Sequence, residues 1–228
     1  MAEMSPQSYR RQRVLPPPLR ETGEVRLVVG RPWSHYAWDM SDFLSDVETL
    51  RRNAREHIDQ GPITAAYGAD RERVIAVLNE VLATELVCVL RYKRHYYMAE
   101  GLNSGPVAQE FLQHANEEQG HADQAATRIV QLQGEPDFNP ATLLARSHAE
   151  YAPGNDLIDM IKEDLVAERV AIASYEEIVR WLGDGDTTTR RMIEGILAVE
   201  EEHADDMLTL LKRMGHPVED SAGQASVG

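Results

Sequence analysis

The chain of 228 residues contains very little cysteine, and Cys88 is its only example. Disulfides, zinc fingers and iron–sulfur sites all need several cysteines, so a single copy of this chain cannot build them. No run of about 18 apolar residues is present that would cross a membrane, and the N-terminus lacks the apolar core and cleavage site of a secretory signal. These absences predict a cytoplasmic protein without membrane contact.

Positive charge is also scarce, because 23 Lys and Arg residues face 38 Asp and Glu residues and the formal net charge is −15. A chain this acidic repels nucleic acids and anionic lipid surfaces and attracts cations. The composition therefore disfavours general nucleic-acid binding and favours partners that are metal ions.

Long stretches are rich in Ala, Leu, Glu and Arg, residues that lose little on entering a helix, and this predicts an all-α fold. Apolar positions recur at helical spacing in segments that end at Gly or Pro. Long helices are predicted at about 70–100, 106–133 and 157–182, with a fourth after Gly185 that reaches Met214. The connection before residue 157 is long, so the predicted architecture is a four-helix bundle of two hairpins joined by one crossover.

Four regions are predicted along the chain. Residues 1–35, with three consecutive prolines, form an extended or disordered arm. Residues 36–68 contain an additional amphipathic helix, residues 69–215 form the bundle, and residues 216–228 form a polar, flexible tail.

The stripe that each long helix turns inward carries a glutamate where a core residue is expected. The four glutamates are Glu85, Glu118, Glu168 and Glu200. The second and fourth helices add a histidine three residues later, His121 and His203, on the same face. Four buried carboxylates repel one another and are costly to leave unpaired, so we predict that two divalent cations lie between them.

The order along the chain, Glu then Glu-x-x-His, occurs twice and predicts a site with approximate twofold symmetry. Carboxylates with one imidazole per ion suit iron, manganese or zinc, and the ligand set does not choose among them. Glu-x-x-His alone is a weak signal, and the alternative is that these six residues form buried ion pairs in an ordinary bundle.

With these motifs in view, residues 70–214 resemble bacterioferritin and the Dps-like members of the ferritin superfamily that share its di-iron site. The matching segments are 83–86 with Tyr92, 117–123, 164–168, 199–203 and 212–215. The resemblance implies that Glu85 and His121 bind one iron ion, that Glu168 and His203 bind the other, and that Glu118 and Glu200 bridge them. It also implies a ferroxidase that oxidises Fe(II) with dioxygen or hydrogen peroxide and stores ferric mineral inside a homo-oligomeric cage.

Two departures from bacterioferritin change these expectations. Gln119 stands where bacterioferritins have the methionine that binds haem, so no haem is expected. The residues after Gly215 are too polar for the short fifth helix that helps to form a 24-subunit shell. We therefore expect a cage of 12 subunits, with 24 as the alternative.

Three further residues near the predicted ligands each allow two interpretations. Tyr92 and Tyr175 lie seven residues after Glu85 and Glu168, where they either hydrogen-bond ligand carboxylates or fill the core. His114 is either a further metal ligand or, more commonly for such a residue, a core histidine with its hydrogen bonds satisfied.

Two other functions remain as alternatives. One is a rubrerythrin-like di-iron peroxidase, although the four-cysteine centre that delivers electrons in those proteins is missing. The other is a Dps-like particle that protects DNA and grips phosphates with its basic N-terminal arm. The acidity of the rest of the chain argues against that role. The basic residues of the arm are Arg10, Arg11, Arg13 and Arg20.

Overall fold

The computed structural model describes residues 46–101 and 104–215, and within these ranges every regular element is helical. The prediction of an all-α fold is confirmed. The six α-helices are α1 (Val47–Glu56), α2 (Arg71–Met98), α3 (Ser104–Gln131), α4 (Leu143–Arg146), α5 (Leu157–Leu182) and α6 (Thr187–Arg213). A short 3-10 helix (Ile58–Gln60) follows α1.

Aspartates start the long helices α2, α5 and α6. The side chains of Asp70, Asp156 and Asp186 each accept a hydrogen bond from the backbone N–H three residues later, which satisfies one of the free donors of the first turn. These caps explain why the observed starts lie close to the predicted ones.

Helix α3 ends two residues before the predicted position because the chain reverses at Gln133, which has a positive φ of 63°. The next residue, Gly134, does not have a positive φ, but the structure leaves no room for a side chain there. A Cβ at this position would lie 2.7 Å from a side-chain carbon of Ile75. The absence of a side chain therefore lets the end of α3 approach α2 closely.

The four long helices form two hairpins, α2 with α3 and α5 with α6, and the crossover between them contains α4. The core divides into two apolar clusters. One surrounds Leu78, Leu82 and Ile193, and the other surrounds Tyr92, Phe111 and Met207. Along each long helix, one buried glutamate stands between residues of the two clusters: Glu85, Glu118, Glu168 and Glu200.

Helix α1 contains no buried residue, and its Val47 and Leu50 side chains are 56% and 53% exposed. The predicted arm (1–35), the start of the additional helix (36–45) and the predicted tail (216–228) lie outside the described residues. No helix within the described ranges is both long and apolar enough to cross a membrane.

A buried network fixes the crossover to α2. The Arg91 guanidinium donates to Asp164 Oδ1 on α5 (2.8 Å) and to the backbone carbonyl of Glu150 (3.0 Å). The second carboxylate oxygen of Asp164 lies 2.8 Å from His95 Nδ1. All three network side chains, Arg91, His95 and Asp164, are at most 1% exposed. One aspartate thus balances the charge that would otherwise be buried alone.

We expect Asp164→Ala to lower the free energy of unfolding by ~3–5 kcal/mol, because the Arg91 charge would remain buried without its partner. Glu176→Ala is the control on the same helix, since Glu176 pairs with Arg180 at the surface and should contribute at most ~0.5 kcal/mol. Urea unfolding followed by circular dichroism measures both. Equal losses for the two variants would contradict the assigned role of Asp164.

Candidate metal centre

The structure brings the six predicted ligands together in two groups of four buried residues. The first group is Glu85, Glu118, His121 and Glu200, and the second is Glu118, Glu168, Glu200 and His203. Within each group, one candidate ligand atom per residue lies within 4.8 Å of the others. Glu118 and Glu200 belong to both groups, which is the arrangement that two ions bridged by two carboxylates require.

Each long helix contributes to this centre through its inner face. Glu118 and His121 lie one turn apart on α3, and Glu200 and His203 do the same on α6, so each pair points in one direction. The His121 Nδ1 atom lies 3.3 Å from Glu118 and 2.9 Å from Glu200. The His203 Nδ1 atom lies 3.4 Å from each of these carboxylates.

Several buried polar atoms of the centre lack a hydrogen-bond partner among the described residues. They are Glu118 Oε1, Glu168 Oε2, both carboxylate oxygens of Glu200 and His203 Nδ1. Buried polar atoms are normally satisfied, and a set of unsatisfied atoms that face one another is explained by a cation. The donors are hard carboxylate oxygens and one imidazole per group, so the residues present fit iron, manganese or zinc.

The two inner tyrosines cross between the hairpins. The Tyr92 hydroxyl on α2 donates to Glu168 Oε1 on α5, and the Tyr175 hydroxyl on α5 donates to Glu85 Oε1 on α2. Both tyrosines are fully buried. Each outer carboxylate therefore has one oxygen held by a phenol and the other free to face the centre.

Glu117 is a functional candidate that the sequence reasoning missed. Its Oε2 lies 2.9 Å from His203 Nε2 and accepts the hydrogen bond of that ring nitrogen. This contact leaves Nδ1 of His203 to face Glu118 and Glu200, and an outer hydrogen bond of this kind fixes which nitrogen binds a metal. Glu117 is 40% exposed and one residue from the inner stripe, so its position in the sequence resembled that of a surface residue.

The Ferritin-like domain family matches residues 75–215, which include all six predicted ligands. The chain belongs to the ferritin-like family. Its similarity to bacterioferritin and Dps-like proteins, expected from the motifs, is confirmed by individual relatives.

Two curated relatives of this ferritin-like chain are bacterioferritins. The one from Brucella melitensis biotype 1 is 30% identical over 154 residues, which cover 67% of this chain and 91% of the relative. The one from Rhodobacter capsulatus is 27% identical over 147 residues, with 63% and 87% covered.

Two solved structures also resemble the ferritin-like bundle. A dodecameric thioferritin, the bacterioferritin-related protein of Bacteroides fragilis, is 32% identical with a TM-score of 0.61, covering 65% of this chain and 91% of that one. Dps from Thermosynechococcus elongatus is 21% identical with a TM-score of 0.59, covering 61% and 90%, and shows the shared fold.

Without a cation, protons balance the charges of the ferritin-like centre. Burial raises the pKa of Glu85 to about 8, and the charge of Glu118 acts in the same direction. Burial acts to lower the pKa values of His121 and His203, but their contacts with Glu118 and Glu200 prevail and raise these pKa values to about 12 and about 11. Both imidazoles are therefore protonated at neutral pH in the metal-free protein.

We expect Zn²⁺ binding to the metal-free protein to release at least about two protons per subunit at pH 7, since each bound imidazole must lose one. Protons held by groups with raised pKa values compete with the cation, so the affinity should increase as the pH is raised from about 6 to about 8. Calorimetry in two buffers of different ionisation enthalpy measures the proton count. An affinity that does not change with pH would show that these residues are not the ligands.

Proposed function

We propose that this chain is a ferroxidase that oxidises Fe(II) at an intrasubunit pair of sites and stores the ferric product. The observation that carries the proposal is the pair of buried four-residue groups that share Glu118 and Glu200. Four glutamates and two histidines are not expected in one buried layer of a helical bundle that binds no cation, because each unpaired buried charge is costly. Substrate cations explain the convergence.

In this proposal each residue has one role. Glu85 and His121 bind one Fe(II), Glu168 and His203 bind the other, and Glu118 and Glu200 bridge the two. The bound ions would supply one electron each to dioxygen or hydrogen peroxide. Four carboxylates balance the charge of two ferrous ions, so that binding neutralises the centre before oxidation begins.

The residues around the ligands preserve the site between rounds of reaction. The hydroxyl groups of Tyr92 and Tyr175 hold Glu168 and Glu85 in place. When the product leaves, His121 and His203 take up protons and pair with the carboxylates that faced the metal. The charge of the empty centre is thereby balanced before the next ferrous ions enter.

The second part of the proposal is that the ferric product is stored inside a cytoplasmic homo-oligomer of this chain. It is supported by the bacterioferritin relatives and by the bacterioferritin-related protein described as a dodecameric thioferritin. A 12-subunit cage is the proposed assembly, and a 24-subunit cage is the alternative. The absence of haem remains a prediction, which rests on Gln119.

We expect Glu200→Gln to abolish rapid Fe(II) oxidation, because it removes a bridging charge shared by both sites. Glu201→Gln is the matched control: it makes the same chemical change one residue along α6, at an exposed position, and should oxidise Fe(II) as fast as the natural chain. Stopped-flow absorbance of ferric product measures the rates. Fast oxidation by Glu200→Gln would refute the assignment of the centre.

The iron retained per subunit separates storage from the alternative reactions. Storage predicts many ferric ions per subunit, far beyond the capacity of the two sites. A peroxidase would retain only the ions of the centre and turn over hydrogen peroxide, and a purely structural particle would not oxidise Fe(II).

The proposed cage has a defined mass. Twelve copies of the 25.6 kDa chain have a mass of about 310 kDa, and native mass spectrometry of the intact protein should find this species. A mass of about 610 kDa would replace the dodecamer with a 24-subunit cage. A monomer at micromolar concentration would refute the cage.

A further inference from the structure

His114 is a buried histidine beside the metal centre that is not among its six proposed ligands. Its ring stacks on that of His203, with centroids 3.9 Å apart and planes at 19°. Its side chain is fully buried. Its Nδ1 lies 3.2 Å from the Tyr92 hydroxyl, while its Nε2 has no hydrogen-bond partner within 46–101 and 104–215.

The hydrogen bonds around Tyr92 decide which nitrogen of His114 carries a proton. The Tyr92 hydroxyl donates to the Glu168 carboxylate, so its oxygen is left to accept from His114. The Nδ1–H group of His114 is therefore the donor, and Nε2 of the neutral ring presents a lone pair. A buried lone pair of this kind calls for a donor or a metal ion.

Two carboxylates face this lone pair. Glu110 Oε1 on α3 and Asp206 Oδ2 on α6 each lie 3.6 Å from His114 Nε2, which is too long for a hydrogen bond. The ligand atoms of Glu110, His114 and Asp206 all lie within 4.8 Å of one another. Burial and the charge of Asp206 both raise the pKa of Glu110, as expected for two acids that meet without a cation.

We propose that Glu110, His114 and Asp206 bind a third divalent cation, separate from the two ions of the shared-glutamate centre. Atoms bound to one ion at about 2.1 Å and at right angles lie about 3.0 Å apart, so small side-chain rotations bring these three into range. Two carboxylates and one neutral imidazole suit Fe²⁺, Mn²⁺, Co²⁺ or Zn²⁺.

The other hairpin has no counterpart to this site. Ile196 lies seven residues before His203, as His114 lies seven residues before His121, and it is a buried core residue. By the same count, Met192 lies eleven residues before His203, as Glu110 lies eleven residues before His121. An aliphatic side chain therefore fills this position in the second half of the bundle, so packing alone does not require the histidine.

The site faces solvent on one side and the centre on the other. The Glu110 and Asp206 side chains are 33% and 49% exposed. On the inner side, His114 contacts Tyr92, which in turn contacts Glu168. A cation that arrives from solvent would thus be held one hydrogen-bonded residue away from a ligand of the proposed di-iron site.

The test counts Zn²⁺ bound by the metal-stripped, full-length protein in equilibrium dialysis. Asp206→Asn should bind one Zn²⁺ fewer per subunit than the natural chain, because the affinity of the site would fall by at least the ~10–100-fold that follows loss of an outer partner. Asp205→Asn is the matched control, with the same change at the adjacent exposed residue, and it should bind as many ions as the natural chain. Glu110→Gln should behave like Asp206→Asn.

Crystals soaked in Zn²⁺ should show anomalous density between Glu110, His114 and Asp206. This density should persist in Glu200→Gln, so failure of the proposed ferroxidase and failure of the third site are distinguishable. If His114 is instead a protonated partner of the two acids, Asp206→Asn will bind as many Zn²⁺ ions as Asp205→Asn. That result, or density confined to the shared-glutamate centre, would overturn the proposal.

Discussion

The constraint on which the structure depends is the confinement of four carboxylates to one buried layer of the bundle. An ionised carboxylate inside a protein loses several kcal/mol of hydration, and its neighbours of the same charge add repulsion. The surroundings offset this in an ordered way, with imidazoles between the carboxylates and phenol hydroxyls outside them. Residues of the two apolar clusters flank the layer along each long helix, and the low dielectric constant of such surroundings strengthens each of these contacts.

Helical periodicity was sufficient to predict the inner members of this layer. A glutamate at heptad spacing among apolar residues points inward once the helices pack as a bundle. This pattern selected the six residues of the two groups that share Glu118 and Glu200, but not Glu117. The long helices α5 and α6 were also predicted closely, because glycines and aspartates mark their ends.

Other features were not predictable, because they depend on the rotation of one helix against another. The sequence placed Tyr92 and Tyr175 near the layer, but it did not reveal that each reaches the opposite hairpin. On α5, Leu165 and Ile172 stand at heptad positions on either side of Glu168 but are half-buried, whereas Asp164 and Ala171 are buried. A strict seven-residue repeat drifts around a straight helix by about 20° per heptad, so an inward stripe moves to neighbouring positions along α5.

The buried network around Arg91 has a consequence for how the crossover can vary between related proteins. Arg91 and His95 contact backbone carbonyls of the connection, those of Glu150, Ala152 and Pro153, rather than its side chains. Every residue carries a backbone carbonyl, so the side chains at these three positions can change without loss of the contacts. An insertion or deletion would move these carbonyls away from Arg91 and His95. Related proteins that keep the network should therefore keep the length of this connection even where its sequence differs.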